Sequence, residues 1–199
     1  LLLPYYFKFI STEDYGIWLS GISFLSLASV LEANISLILT QQLGDKWVNN
    51  ERREFSKYFF AAILLGTIIF ILIVLSTYFL KDSITNWISS EINQTFLYSK
   101  SFFVYSIYTG LGILTGFIGA LTQVLLKTKW PPVFNFLSGI FGIAYTIWAV
   151  SFQGVLAIAF GLLIKNLVYF LLISAYSIFQ INKEKIPFLF DKNYLIRII

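Results

Sequence analysis

From Tyr58 to Leu80 the chain carries no charged residue. A helix crossing a bilayer core needs about 20 such residues. A backbone inside lipid must satisfy its own hydrogen bonds, which a helix does. The same pattern recurs along the chain. Of the 199 residues, 58% are hydrophobic and only 12% charged. A soluble domain of this length needs far more charge to cover its surface. The expected fold class is therefore all-α: a polytopic transmembrane helix bundle of about six spans. They fall near 1–10 (partial), 16–40, 58–80, 101–126, 133–151 and 155–180. Residues 1–180 form one transmembrane domain, and 181–199, with Pro187, read as a basic amphipathic linker.

Missing residue types narrow the chemistry. The chain has no Cys and no His. That removes thiolate nucleophiles, disulfides, and the commonest general base and metal ligand. There is no Met either, and LLLPYYFKFI begins in mid-run, so the chain reads as a fragment lacking its start. No basic leader or small-residue cleavage site makes that run a signal peptide. The net charge of +4 suits a multi-span protein with basic loops and does not indicate nucleic acid.

Local signals place the spans. Ser11 or Thr12 can cap a helix whose first turn holds Glu13 and Asp14, where carboxylates favour the positive end of the helix dipole. Ser29, Glu32, Ser36 and Thr40 then form one polar stripe, expected to face helices or water. Residues 41–57 read as a charged loop. Residues 81–100 read as a polar connector in which Trp87, Ile88, Ile92 and Phe96 could lie on the membrane surface. Gly112, Gly116 and Ala120 recur every four residues, with Gly119 beside them; such spacing lets helices approach closely. Lys127–Pro132 reads as a short basic loop in which Pro131 and Pro132 break the helix and Trp130 suits the interface. Gln153-Gly154 makes a tight turn.

Orientation follows from the basic residues. Of the 14 Lys and Arg, ten lie in 41–57, 127–130 and 181–199; Lys8, Lys81 and Lys100 lie on the opposite side. The positive-inside rule puts the ten in the cytoplasm, with Lys165 left inside the membrane.

Glu32 and Lys165 are the sharpest candidate site residues. A charge at a span's centre costs about 2.5–3.5 kcal/mol on insertion scales and is tolerated facing a cavity or a partner. Glu32 either lines a cavity and binds a coupling H⁺ or Na⁺, or pairs with Lys165 or hydrogen-bonds to serines as packing. Lys165 either attracts an anionic substrate group, or forms that structural pair or snorkels to the interface. Asn34, Gln123, Asn135 and Asn166 are weaker candidates, since each can simply tie helices together. Arg52 and Arg53 can meet anionic head groups or only set topology.

The segments ISTEDYGIW, VLEANISLILTQQLGD and QGVLAIAFG, with Tyr15-Gly16-x-Trp18 as the most specific pattern, resemble the Wzx-type polysaccharide flippases. These belong to the multidrug and oligosaccharidyl-lipid flippase superfamily. The likeness runs over the whole chain in span order and loop length. It implies the first lobe of a two-lobe, alternating-access transporter in a bacterial inner membrane. Such a protein moves polyprenyl-pyrophosphate-linked oligosaccharide repeat units, as for lipopolysaccharide. The partners implied are the lipid-linked oligosaccharide, membrane lipids and a second lobe. The family often has Gly after the acidic residue, where this chain has Ala33. One rival reading is a MATE-type multidrug antiporter, whose cationic cargo would prefer an acidic cavity. Another is a non-transporting assembly subunit with a closed core. An enzyme is not expected, because acid–base chemistry would need more than one intramembrane carboxylate.

Overall fold

The computed structural model describes residues 3–88, 95–191 and 194; within its helices the side chains at 24, 28–34, 87–88 and 95–96 are outside that description. Among the described residues the fold is all-α, with α1 Leu3–Tyr6, α2 Thr12–Val48, α3 Arg52–Ile88, α4 Thr95–Val124, α5 Trp130–Gln153 and α6 Val155–Lys183. Four of these, α3 to α6, are long and apolar enough to cross a membrane. α2 has 37 residues and packs along α4 and α3. The expected partial span at 1–10 holds only the four-residue α1, too short to cross a bilayer.

The helices α2 to α6 extend beyond their expected spans at one end or both, because hydropathy marks only the apolar middle of a helix. The overhang corrects one expectation outright. Residues 41–57 are not a charged loop. α2 continues to Val48, α3 begins at Arg52, and only 49–51 lie between them. The amphipathic face explains this: Leu39, Leu43, Phe55 and Phe59 point inward and are essentially fully buried. Together with Ala120 and Leu121 of α4 they form the main core cluster. Asn50, at φ 58°, takes the left-handed conformation that Asn tolerates in the turn. Lys46 bonds to Glu51 across it at 2.7 Å, which holds the ammonium above its ordinary pKa.

The start of α2 is as expected. The Asp14 backbone N–H donates to Ser11 Oγ at 3.0 Å, and Glu13 and Asp14 occupy the first turn. The surface segment expected around Trp87 to Phe96 falls on or beside residues outside the description. Pro131 and Pro132 sit in the first turn of α5, where missing N–H groups cost nothing.

α4 is the central helix. Its most apolar stretch is 61% buried, against 28% for α3, α5 and α6. It packs against α2, α3 and α6, while α5 packs mainly on α6. The close approach of α5 and α6 rests on glycine. A Cβ at Gly161 would overlap Thr146 Oγ1, and one at Gly142 would lie 2.8 Å from Lys165 Cβ. Away from α6, α5 turns Phe136 (69% exposed), Phe141 and Trp148 (66%) outward, as a lipid-facing surface does.

The described end of the chain folds back. Ile186 enters the main core. The Ser56 hydroxyl donates to the Pro187 carbonyl, and its oxygen accepts the Leu189 N–H at 3.0 Å. Phe188 packs on Phe60, with ring centroids 4.2 Å apart. Tyr194 donates to the Glu54 carboxylate and stands edge-on to Tyr58. Residues 184–191 thus strap the end of α6 to the start of α3.

Candidate functional site

A groove of about 950 Å³ runs between α2 on one side and α5–α6 on the other, floored by α4. It exists because α2 packs along α4 and barely touches α6. Along α4 the lining residues are spaced three or four apart: Tyr105, Tyr108, Gly112, Gly116, Gly119 and Gln123 among them. That is one face of one helix.

This placement corrects the reading of the small-residue ladder. Ala120 does pack, at 0% exposure. Gly112, Gly116 and Gly119 line the groove; a Cβ at Gly119 would meet nothing within 4 Å, whereas Gly112 also makes room for Asn166 of α6. Four-residue spacing identifies a face without a Cβ; it does not say whether a neighbour fills the space. Close helix packing on glycine is found at the α5–α6 crossing, on Gly142 and Gly161, and between α3 and α4, on Gly66 and Gly110.

Lys165 lines the groove from α6, and Tyr169 lies one turn further on. The Lys165 stem covers Gly142 of α5. Its ammonium makes no ion pair with any described residue; the ion pairs among these residues are Lys46–Glu51, Lys57–Glu54 and Lys81–Asp82, all near helix ends. Lys165 is also the one charged side chain among the described lining residues.

Gln123 and Asn135 line the groove and are exposed, near the α4–α5 connection. Asn166 borders the groove, but its main role is a tie. Its side-chain N–H donates to the Tyr108 carbonyl at 2.8 Å, joining α6 to α4. The amide fits because residue 112 is glycine: a Cβ there would lie 3.3 Å from Asn166 Nδ2. Ser36 and Thr40 of the predicted polar stripe line the α2 wall. Glu32 and Asn34, with Ser29, lie in α2, with their side chains outside the described residues. Arg52 does not line the groove; its guanidinium lies 3.2 Å from the centre of the Trp47 ring.

Sequence reasoning missed Tyr105, Tyr108 and Thr115. The available signal was the three-and-four spacing of glycine, hydroxyl and amide residues along one face of α4.

The groove has one open end. No described lining residue lies nearer the Ser11 end than Ser26 on α2 and Tyr105 on α4. Beyond them Ile10, Trp18, Tyr98, Val150 and Val155 form a buried cluster. Tyr98 ties that cluster to the start of α2 by donating to the Asp14 carboxylate. At the Val48 end, Gln123, Thr128, Pro132 and Asn135 are exposed around the mouth.

Comparison with family models, with curated proteins and with solved structures returns no match for this chain.

Proposed function

We propose that this chain is a transporter lobe that moves an anionic, lipid-linked oligosaccharide between the leaflets of a bacterial inner membrane. The observation that carries the reading is the groove: a polar furrow in an apolar bundle whose described lining holds one charge, Lys165, with no ion pair to any described residue. A cation there is costly unless water or an anion meets it. The pyrophosphate of a lipid-linked sugar is such an anion. A multidrug antiporter with cationic cargo would want a carboxylate in this lining, and the described part of it has none. A purely structural subunit needs no groove, which favours transport.

Further parts of the reading rest on sequence and resemblance. They are the count of about six spans, a second lobe opposite the groove, and a coupling role for Glu32 with H⁺ or Na⁺. The basic residues at the Val48 end put the open mouth in the cytoplasm by the positive-inside rule. The deciding experiment is export in cells lacking their own flippase. Restored surface polysaccharide on expression of the complete protein is the expected result. Resistance to cationic drugs without any restored polysaccharide would move the protein to the multidrug branch.

A further inference from the structure

We infer that the strap and the first turns of α3 form a site for an anionic phospholipid of the surrounding bilayer. Phe188 and Phe190 enter the acyl layer, and Arg53 and Lys185 meet the phosphate. The inference concerns the outside of the bundle and does not rest on the transport reading.

The first observation is the apolar side of the strap. Ser56 and the buried Ile186 pin the segment to the bundle, which leaves Phe188 (78% exposed) and Phe190 facing outward. Phe188 rests on Phe60, and the exposed stripe continues along α3 through Leu64, Ile68 and Leu75. These α3 residues belong to the charge-free run that opens at Tyr58, so the strap extends a lipid-facing surface. The second observation is depth. Arg53 precedes Tyr58 by five residues, about 8 Å along a helix, which is head-group depth when the run fills the hydrocarbon core. The third is charge. Arg53 and Lys185 are exposed and make no ion pair with any described residue. The neighbouring carboxylates are engaged: Glu51 by Lys46, Glu54 by Lys57 and Tyr194, while Asp191 lies near Lys57. Glu184 is flanked by both Lys183 and Lys185. The fourth is the backbone at Lys185. It closes α6 at φ 51°, a left-handed conformation that glycine takes freely and a larger residue does not. Strain of this kind points to a use for the side chain. Lys185 sets a cation at the α6 end of the strap, and Arg53 sets one at the α3 end.

An anionic phospholipid matches both halves of this surface. Its acyl chains suit two outward rings, and its phosphate diester suits cations at head-group depth. A zwitterionic lipid would meet the rings equally well but brings no net charge to Arg53 and Lys185. A soluble anion would use the cations and leave Phe188 and Phe190 in water. A protein partner could cover the patch, but its binding would be indifferent to the charge of the lipid.

The test uses the purified complete protein in nanodiscs of phosphatidylcholine alone, or of phosphatidylcholine mixed with phosphatidylglycerol. Thermal unfolding is the readout. Phosphatidylglycerol should raise the midpoint by about 5 °C, since a ligand of the folded state stabilises it. Arg53→Gln with Lys185→Gln should remove most of that gain. Lys8→Gln, at an exposed cation of the opposite end, should leave it intact. Lys185→Gly separates charge from backbone. It relieves the left-handed residue, so the midpoint should rise in phosphatidylcholine alone while the gain from phosphatidylglycerol shrinks. A merely structural Lys185 would give the same rise in both bilayers. Phe188→Ser with Phe190→Ser should also shrink the gain, and the charge variants keep the test decisive where that pair does not fold. No gain in the parent protein overturns the site and leaves the patch to a protein partner. A loss from Lys8→Gln as large as that from the Arg53 and Lys185 pair also overturns it, because attraction of a basic protein to any anionic surface would then suffice. Neither result bears on transport.

Discussion

Lys165 and the glycines around it have opposite demands. Lys165 must meet water or an anion, because no described partner neutralises it. Lys165→Ala should abolish export in the flippase-deficient cells, and Lys165→Arg should retain it, since both natural cations attract phosphate. Equal export by the two variants would remove the charge from the mechanism. The glycines divide by what lies above them. Gly161→Ala forces a Cβ into Thr146 and should lower stability by about 1–3 kcal/mol, the usual cost of overpacking. Gly119→Ala meets open space and should leave stability unchanged. Thermal unfolding in detergent compares the two; equal losses would mean that the α5–α6 crossing is looser than the Gly161–Thr146 contact requires.

At the scale of elements, one hydroxyl makes the side-chain hydrogen bonds described for the strap over residues 184–191. Ser56 is fully buried and serves both the Pro187 carbonyl and the Leu189 N–H. Ser56→Ala leaves both backbone groups unmet, a loss of about 1–3 kcal/mol for a buried polar group. Hydrogen exchange at Leu189 should accelerate while α4 is unaffected; unchanged exchange would show that Phe188 and Ile186 hold the strap unaided. The groove gives a second prediction at this scale. A chain without Cys can carry single cysteines cleanly. Gln123→Cys, at the open mouth, should react with a membrane-impermeant maleimide added from the Val48 side only. Labelling from the Ser11 side as well would mean that the Trp18–Tyr98 cluster does not close that end.

At the scale of the whole molecule, the bundle is inside-out with respect to a soluble protein. Apolar side chains line the outside of α5, and the polar groove lies within. In single-Trp variants, brominated lipids should quench Trp148, which is 66% exposed, and spare Trp18, which is 7% exposed. Equal quenching would mean that α5 does not face lipid.

Much of this was legible in the residues alone. Helical spans can be read from runs such as Tyr58–Leu80, because a backbone in lipid has few other ways to satisfy its hydrogen bonds. The Ser11 cap and the Gly154 turn were equally local, and so readable. Lys165 stood out because a charge in a span is expensive wherever it points. What sequence spacing could not decide was direction. The ladder on α4 looked the same whether a helix or a groove lay above it. Asn166 could equally be a ligand or a tie between helices, and its amide donates to the Tyr108 carbonyl. Residues 41–57 looked like a loop because their charges concealed an inward face of Leu43, Phe55 and Phe59. The sequence by itself therefore determined an apolar helical bundle with one cation within a span. Only the tertiary structure decided that α2 stands apart from α5 and α6, and that Lys165, Tyr105, Tyr108 and three glycines meet in the gap. The physical reason is that composition sets the solvent a helix can tolerate, whereas a groove depends on which neighbours do not touch.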